Sequence, residues 1–303
     1  MAAYVETLDA LGRQFPDVIF ITVGMFDAPT VRRLQDAGGL VFTDPSRAVE
    51  AARSLAAMGA AFARAPRERP RIDDLVVPAP AAQPNEADGY RLLAAAGLPV
   101  PAFHRLAPEG SVSDATAGLA APYVLKVLSA DIAHKSDIGG VRLPLADAHE
   151  VASAWHEMRA ALGRAAPQAR IEGALLMTLQ RDFVEVVIGA RVDDQLGPVV
   201  MVGLGGVFVE LLDDIAVRLA PVSAADAVEM IESLKGVRLL HGLRGQPARD
   251  VDALADAVSR LSRLIAANAG WMQSIEINPF AVRSRGQGGC ALDCAIQLKP
   301  EKS

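Results

Sequence analysis

A proline-rich stretch divides this chain of 303 residues into two unequal parts. It covers residues 66–84, where proline alternates with charged residues and alanine. Such a composition favours an extended, solvated linker over a packed element. We therefore predict a small domain over residues 1–65, a linker over residues 66–84 and a larger domain over residues 85–300.

Apolar strands alternate with amphipathic helices on both sides of this linker, which predicts an α/β (α+β) fold. In the small domain, Val18–Val23 is a continuous apolar run, as expected for a strand buried on both faces. Asp44 and Pro45 predict the start of a helix. Two interpretations stay open for this domain: a packing appendage, or the tail end of a larger doubly wound domain.

The larger domain carries clearer element boundaries. Tyr123–Ser129 reads as a strand, and Ser223 with Asp226 resembles a capping box that opens a helix. Two final strands are predicted over Ser274–Val282 and Cys290–Leu298. They can pair with each other across the turn between them.

The overall composition excludes several classes of protein. The chain is 51% hydrophobic with a net charge of −6, which is typical of a globular protein and argues against a nucleic-acid partner. The long uncharged stretch that contains Leu196–Val209 is too short and too rich in glycine to span a membrane. Cys290 and Cys294 lie too far apart along one strand for a disulfide, so we expect free thiols and a cytoplasmic location.

Lys126 lies in the middle of an apolar strand. A buried ammonium is costly unless an anion meets it, so this lysine is a candidate phosphate ligand. The alternative is a lysine at a strand edge that reaches water.

The following loop, DIAHKSDIGGV, contains His134, Gly139 and Gly140. Glycines allow backbone N–H groups to approach phosphate oxygens closely. His134 is a candidate phosphoryl acceptor or general base, and the alternative is a solvated loop histidine. A second glycine loop contains Gly205 and Gly206, and it is either a ligand loop or a hairpin or bulge.

Glu276, Asn278 and Asp293 form the sharpest group of oxygen ligands. Glu276 and Asn278 are two residues apart on one predicted strand, so they face the same side, and Asp293 lies on the neighbouring strand. Carboxylate and amide oxygens suit Mg²⁺ held partly by phosphate oxygens. The alternative is a polar strand face packed on a helix. Without a P-loop signature, these features indicate a nucleotide–Mg²⁺ enzyme of another type.

Five segments in sequence order resemble the ATP-grasp domain of NDP-forming acyl-CoA synthetases, the ADP-forming acetate–CoA ligase family. They cover residues 86–298 and read YVLKVLSADIAHKSDIGGVRL, IEGALLMTLQ, VEVVIGARVDDQLGPVVMVGLGGVFVELLDDIAVRLAPVS, LLHGLRGQPARD and SIEINPFAV with ALDCAIQL. The resemblance implies an ATP-grasp fold. Residues 18–64 resemble the last part of the flavodoxin-like CoA-ligase subdomain that precedes it in fused members.

The resemblance also implies roles for individual residues. Lys126, with Gly139, Gly140, Gly205 and Gly206, is expected at the nucleotide phosphates. Glu185 would lie beside the nucleotide, and Arg218 would face phosphate. His134 resembles a phosphoryl-relay histidine. Asn278 and Asp293 match Mg²⁺ ligands, with Glu276 beside them.

The family reaction forms an acyl-CoA, ADP and phosphate from a carboxylic acid, CoA and ATP, through an acyl phosphate and a phosphohistidine. The CoA-binding domain and the primary phosphohistidine loop of fused members have no counterpart in these 303 residues. We therefore expect an ATP/ADP- and Mg²⁺-binding ligase subunit or portion, oligomeric, that needs a separate CoA-binding α-like part. Two alternatives are an ATP-grasp ligase that uses no CoA and a non-catalytic nucleotide-sensing module.

Overall fold

The computed structural model describes residues 2–63, 70–132, 135–206, 214–243 and 245–300. The chain separates into two compact units, Met1–Glu68 and Arg69–Ser303. In the described part of the chain, none of the helices combines the length and the apolar character needed to cross a membrane.

The first unit is a two-stranded parallel sheet with three helices. Its elements are α1 (Ala2–Gln14), β1 (Ile21–Val23), α2 (Ala28–Asp36), β2 (Leu40–Phe42) and α3 (Pro45–Ala63). The prediction of a strand buried on both faces over Val18–Val23 is wrong, because β1 begins at Ile21 and Val18 and Ile19 are more than half exposed. A sheet of two described strands offers too little surface to cover the whole apolar run. The flavodoxin-like assignment of this unit stays a prediction.

The second unit begins with a docked segment rather than a free linker. Asn268 accepts a hydrogen bond from the backbone N–H of Val77 at 2.9 Å and donates one to the carbonyl of Leu75 at 2.8 Å. The Trp271 indole N–H donates to the carbonyl of Val77 at 3.2 Å. The expectation of a solvated linker is therefore wrong for residues 75–77, because a buried asparagine and an indole supply partners for their backbone groups.

Two antiparallel sheets form the body of the second unit. Its helices and strands are α4 (Glu86–Ala95), β3 (Phe103–Leu106), α5 (Val112–Thr116), β4 (Tyr123–Leu128), β5 (Val141–Leu145), α6 (Ala148–Ala165), β6 (Gly173–Thr178), β7 (Val184–Asp193), β8 (Gly197–Leu204), β9 (Ile215–Leu219), α7 (Ala224–Glu232), α8 (Val251–Ala267), β10 (Met272–Val282), β11 (Gly289–Ala291) and β12 (Cys294–Leu298). The smaller sheet has the order β3-β6-β4-β5, and the larger has the order β11-β10-β7-β8-β9 with β12 also paired to β10.

Local sequence signals explain where several of these helices begin. Ser223 and Asp226 form the predicted capping box of α7, which is confirmed. Asn85 and Asp88 form a second capping box at α4. The side chain of Asp250 accepts a hydrogen bond from the backbone of Ala253 and so caps α8, whose buried face packs on β7, β8 and β10. Helix α4 packs beside β12.

The predicted last strand is interrupted. Both β11 and β12 pair antiparallel with β10, but Leu292 and Asp293 between them belong to neither strand. They lie opposite Asn278 and Pro279, and the proline cannot donate a ladder hydrogen bond. The backbone N–H of Asn278 instead donates to the carbonyl of Asp293 at 3.3 Å, and that of Leu292 to Pro279 at 2.9 Å. This break leaves the carbonyl of Leu292 and the side chain of Asp293 available for other contacts.

Candidate nucleotide site

Lys126 lies on β4, an interior strand of the smaller sheet, and its side chain is 9% exposed. Its ammonium donates to Glu86 Oε1 at 2.9 Å, to Asp293 Oδ2 at 3.1 Å and to the carbonyl of Leu292 at 2.6 Å. The alternative of a strand-edge lysine that reaches water is therefore wrong. The strand position predicted the burial of this lysine but not its two carboxylate partners.

A second lysine, Lys135, reaches the same carboxylates from the loop after β4. Its ammonium lies 2.8 Å from Glu86 Oε2 and 3.2 Å from Asp293 Oδ1. The backbone N–H of Gly140 donates to the carbonyl of Lys135 at 2.7 Å. A Cβ at position 140 would lie 2.7 Å from Val127 Cγ1 and 2.9 Å from that carbonyl. Gly140 thus allows the close approach of the loop to β4 that holds Lys135 in place.

Glycine 139 supports the same turn through its conformation. It ends a short 3₁₀ turn over Ser136–Ile138 with a φ of 71°, which favours glycine. Its carbonyl accepts a hydrogen bond from the guanidinium of Arg142. Both loop glycines therefore shape the backbone around Lys135, while their predicted contact with phosphate stays a prediction. The other predicted residue of this loop, His134, lies outside the described residues.

Glu86 and Tyr90, on the first two turns of α4, complete the buried cluster. The Tyr90 hydroxyl lies 2.8 Å from Glu86 Oε1 and 2.6 Å from the carbonyl of Leu292. Neither residue stood out in the sequence. The capping-box pattern at Asn85 and Asp88 could have located the helix start, but the burial of Glu86 depends on strands far away in the chain.

The charges of this lysine cluster, defined as Glu86, Lys126, Lys135 and Asp293, balance as two ammoniums and two carboxylates. Burial lowers the pKa of Lys126, but the charges of Glu86 and Asp293 raise it by more, so it lies above its ordinary value. The pKa of Lys135 is raised for the same reason. Burial raises the pKa of Asp293, but the charges of Lys126 and Lys135 lower it by more, so the pKa lies below its ordinary value. Lys126, Lys135 and Asp293 are therefore held in their charged forms.

Glu276 and Asn278 lie beside the cluster on the exposed face of β10. Asn278 donates to Glu276 Oε1 at 3.1 Å, which fits the predicted orientation of both side chains to one side. The backbone bond between Asn278 and Asp293 places the third predicted metal ligand directly opposite. Glu276 also lines an open pocket of about 460 Å³ on the larger sheet, together with Met201 and Val217.

The chemistry of these donors fits Mg²⁺ in the presence of a phosphate ligand. They are carboxylate and amide oxygens, which a hard cation prefers, and Mg²⁺ commonly takes one or two protein carboxylates and completes its shell with water and phosphate. Among the described residues, no group of three or more His, Cys, Asp or Glu side chains is arranged to hold a metal.

Glu185 and the second glycine loop lie together at the start of β7 and the end of β8. The backbone N–H of Gly205 donates to the carbonyl of Glu185 at 2.7 Å. A Cβ on Gly205 would lie 2.7 Å from the Glu185 Cβ, and one on Gly206 would lie 3.4 Å from Glu185 Oε2. The structure therefore brings these three predicted residues into contact, with glycine required by the close packing at 205.

Arg218 has different neighbours. It lies on β9 and forms ion pairs with Asp226 at 3.4 Å and Glu229 at 3.0 Å, both on α7. Its guanidinium is thus held against carboxylates of α7, not against the lysine cluster. Contact with phosphate stays a prediction for this residue.

Comparison with known proteins identifies the fold that carries this site. A protein-family model described as an ATP-grasp domain matches residues 79–298. The chain belongs to the ATP-grasp family. The match contains the whole lysine cluster and the Glu276–Asn278 pair, and it confirms the fold expected from the five sequence segments.

Relatives of this ATP-grasp chain are ADP-forming ligases. It is 32% identical to the beta subunit of acetate–CoA ligase [ADP-forming] II of Pyrococcus furiosus over 71% of this chain and 91% of that subunit. It is 34% identical to acetate–CoA ligase [ADP-forming] I of Archaeoglobus fulgidus over 84% of this chain. That match covers 38% of the Archaeoglobus enzyme, so the chain spans little more than a third of the length of this relative.

A solved structure agrees with these sequence matches. The dinucleotide-forming acetyl-coenzyme A synthetase 1 of Ca. Korarchaeum cryptofilum, in complex with coenzyme A and Ca-AMPCP, superposes with a TM-score of 0.68 at 32% identity. The superposition covers 82% of this chain and 99% of that chain. The resemblance to ADP-forming acyl-CoA synthetases is therefore confirmed at the level of the family.

Proposed function

We propose that this chain is the ATP- and Mg²⁺-binding portion of an NDP-forming acyl-CoA synthetase. Together with a CoA-binding part, it would convert a carboxylic acid, CoA and ATP into acyl-CoA, ADP and phosphate. The observation that carries the proposal is the convergence of two buried lysines on Asp293, beside Asn278, inside the region matched to the ATP-grasp family. Cations next to a metal-ligand carboxylate are what a Mg²⁺–polyphosphate substrate requires.

Each residue then has a defined task. Lys126 and Lys135 would contact the phosphates of the nucleotide, where their fixed positive charges stabilise the group in transfer. Asp293 and Asn278, with Glu276 beside them, would hold Mg²⁺, which neutralises phosphate charge when bound. Gly139 and Gly140 would keep Lys135 in place. Glu185, with Gly205 and Gly206 packed on it, would border the nucleotide.

Two further roles rest on the sequence resemblance. His134 would accept and pass on the phosphoryl group through an imidazole nitrogen, with a phosphate–nitrogen bond formed as the bond to ADP breaks. Arg218 would contact phosphate only after leaving its carboxylates on α7. A His134→Asn variant is expected to bind Mg-ATP like the unmodified chain but to lose Mg²⁺-dependent exchange of label between ADP and ATP.

A separate CoA-binding part is the proposed partner. The beta-subunit relative matches over 91% of its own length, within 71% of this chain, and the longer relative carries further sequence beyond the matched part. A cytoplasmic location belongs to the same proposal, because Cys290 and Cys294 are buried free thiols, as expected in a reducing compartment.

Thioester formation by the purified chain tests the need for a partner. The assay supplies acetate, CoA, Mg-ATP and the chain, first alone and then with a separately expressed CoA-binding subunit, and follows acyl-CoA by chromatography. We expect Mg-ATP to bind in both cases and acyl-CoA to form only in the second. Acyl-CoA from the chain alone would refute the need for a partner, and the absence of ATP binding would refute the nucleotide role.

A further inference from the structure

The carboxylate of Glu86 is enclosed in the interior of the protein. It is the first residue of α4, and its side chain is 1% exposed. Oε1 accepts from Lys126 at 2.9 Å, and Oε2 lies 2.8 Å from the ammonium of Lys135. One carboxylate therefore holds both lysines of the site, one on each oxygen.

Asp293 contacts the same two lysines from the opposite, more open side. Its side chain is 29% exposed, and its residue lies in the break between β11 and β12 beside Asn278. The two carboxylates thus differ in access: Asp293 can turn toward a ligand, whereas Glu86 is enclosed. If Asp293 turns toward a cation, the lysines keep Glu86 as their remaining anionic partner.

Electrostatics makes this remaining partner necessary. Two buried ammoniums without a carboxylate would face both mutual repulsion and the full cost of leaving water. With Glu86 in place, the group carries a single net positive charge and its donors keep a fixed direction. That charge and geometry suit the phosphate oxygens of a nucleotide.

We propose that Glu86 is a positioning residue that holds Lys126 and Lys135 together while the phosphates of the nucleotide replace Asp293 as their second anion. This inference rests on the proposed nucleotide-binding function. Tyr90 extends the arrangement, because its hydroxyl bridges Glu86 Oε1 and the carbonyl of Leu292, which also accepts from Lys126. Glu86 acts through the lysines and touches no substrate.

The test compares Glu86→Gln with Glu109→Gln, a matched change at an exposed glutamate paired with Arg159. Calorimetry measures the Kd of Mg-ATP, Mg-ADP and AMP for each chain. Glu86→Gln is expected to weaken the binding of Mg-ATP at least tenfold and the binding of AMP far less, because only the longer phosphate chain is expected to reach the lysines. Glu109→Gln is expected to change none of the three. An equal loss for all three nucleotides, or no loss for Mg-ATP, would overturn the proposal.

A double-mutant cycle separates positioning from a general structural effect. In a Lys135→Met background, Glu86→Gln is expected to weaken Mg-ATP by clearly less than in the unmodified chain, because part of its effect passes through Lys135. Fully additive effects would contradict the proposal. If circular dichroism shows that Glu86→Gln does not fold, Tyr90→Phe replaces it, with a several-fold weaker Kd for Mg-ATP expected and an unchanged Kd contradicting the proposal.

Binding of Mg-ATP by the unmodified chain separates a failure of the positioning role from a failure of the proposed function. If it binds Mg-ATP while Glu86→Gln binds equally well, only the positioning role fails. If the unmodified chain itself binds no Mg-ATP, the proposed function fails, and the positioning role fails with it.

Discussion

The lysine cluster and the Glu276–Asn278 pair lie side by side, yet they are built in opposite ways. The cluster is largely enclosed, with each ammonium between two carboxylates. Glu276 and Asn278 are exposed on β10 and are joined by one side-chain hydrogen bond. The charged groups of the lysine cluster need their ion-pair partners in order to be buried. The exposed side chains of Glu276 and Asn278 can exchange their hydrogen-bond partners for water or a ligand. Substitutions in the cluster should therefore affect stability and binding together, and substitutions in the pair should affect binding alone.

The largest effect is expected for Lys126→Met. Removing this ammonium leaves Glu86 and Asp293 with one shared cation, and breaking a buried ion pair from one side costs about 3–5 kcal/mol. Urea unfolding followed by tryptophan fluorescence measures this loss in the larger unit, because both tryptophans, Trp155 and Trp271, lie there. Lys299→Met, after the last strand, serves as the control and should stay within about 0.5 kcal/mol of the unmodified chain. Equal stability of the two variants would contradict the comparison.

A smaller effect is expected for Gly140→Ala, which acts on the loop and not on a charge. The new methyl group would press on Val127 and on the carbonyl of Lys135. Overpacking of this kind costs about 1–3 kcal/mol. Gly163→Ala is the matched control, because Gly163 is exposed on α6 with open space around its Cα, and alanine there should stabilise the helix by about 0.5–1 kcal/mol. The same urea titration measures the free energy of unfolding of both variants. A loss of stability in Gly163→Ala together with an unchanged stability of Gly140→Ala would contradict the close packing inferred at Gly140.

The pH dependence of unfolding sharpens the role of Asp293. Its folded pKa is lowered, so its contribution to stability is complete above the unfolded value of about 3.9 and is lost as the pH falls through the folded pKa. The pKa values of Lys126 and Lys135 are raised, so their contribution is lost only as the pH rises beyond about 10.4. In Asp293→Asn, the free energy of unfolding should therefore fall less steeply as the pH is lowered into the acid range. Around neutral pH it should stay constant with pH. An acid side as steep as that of the unmodified chain would show that Asp293 does not contribute.

The smallest effect on stability is expected for Asn278→Ala. The side chain is exposed, so the free energy of unfolding should change by no more than about 0.5 kcal/mol. The urea titration used for Lys126→Met measures it under identical conditions. A loss of several kcal/mol would show that the exposed pair is a structural element like the cluster.

Part of this site follows from the sequence and part does not. The spacing of Glu276 and Asn278 gives their common face, because strand side chains alternate with period two. A continuous apolar run gives the buried strand around Lys126. Glu86 could not be found in this way, because its partners come from β4, the loop after it and the β11–β12 break. Those contacts are set by tertiary packing, on which local periodicity carries no information.

The dependence on tertiary packing also explains why two strand predictions were wrong. The run Val18–Val23 has the composition of a strand buried on both faces, but burial depends on what surrounds it, and Val18 and Ile19 are exposed. The stretch Cys290–Leu298 reads as one strand, but its partner β10 carries Pro279 opposite the break. In both cases the sequence pattern correctly indicated an apolar segment, but it carried no information on which residues pack against that segment.

The most direct measurement is a calorimetric titration with ATP, with and without Mg²⁺, of the unmodified chain and of Asn278→Ala. We expect tight binding that depends on Mg²⁺ in the unmodified chain, and a loss of affinity of about tenfold or more in Asn278→Ala, equivalent to about 1.4 kcal/mol. Binding without Mg²⁺ should be weak and equal in both chains. Mg²⁺-independent binding of equal strength in both, or no binding of ATP at all, would contradict the assignment of this site.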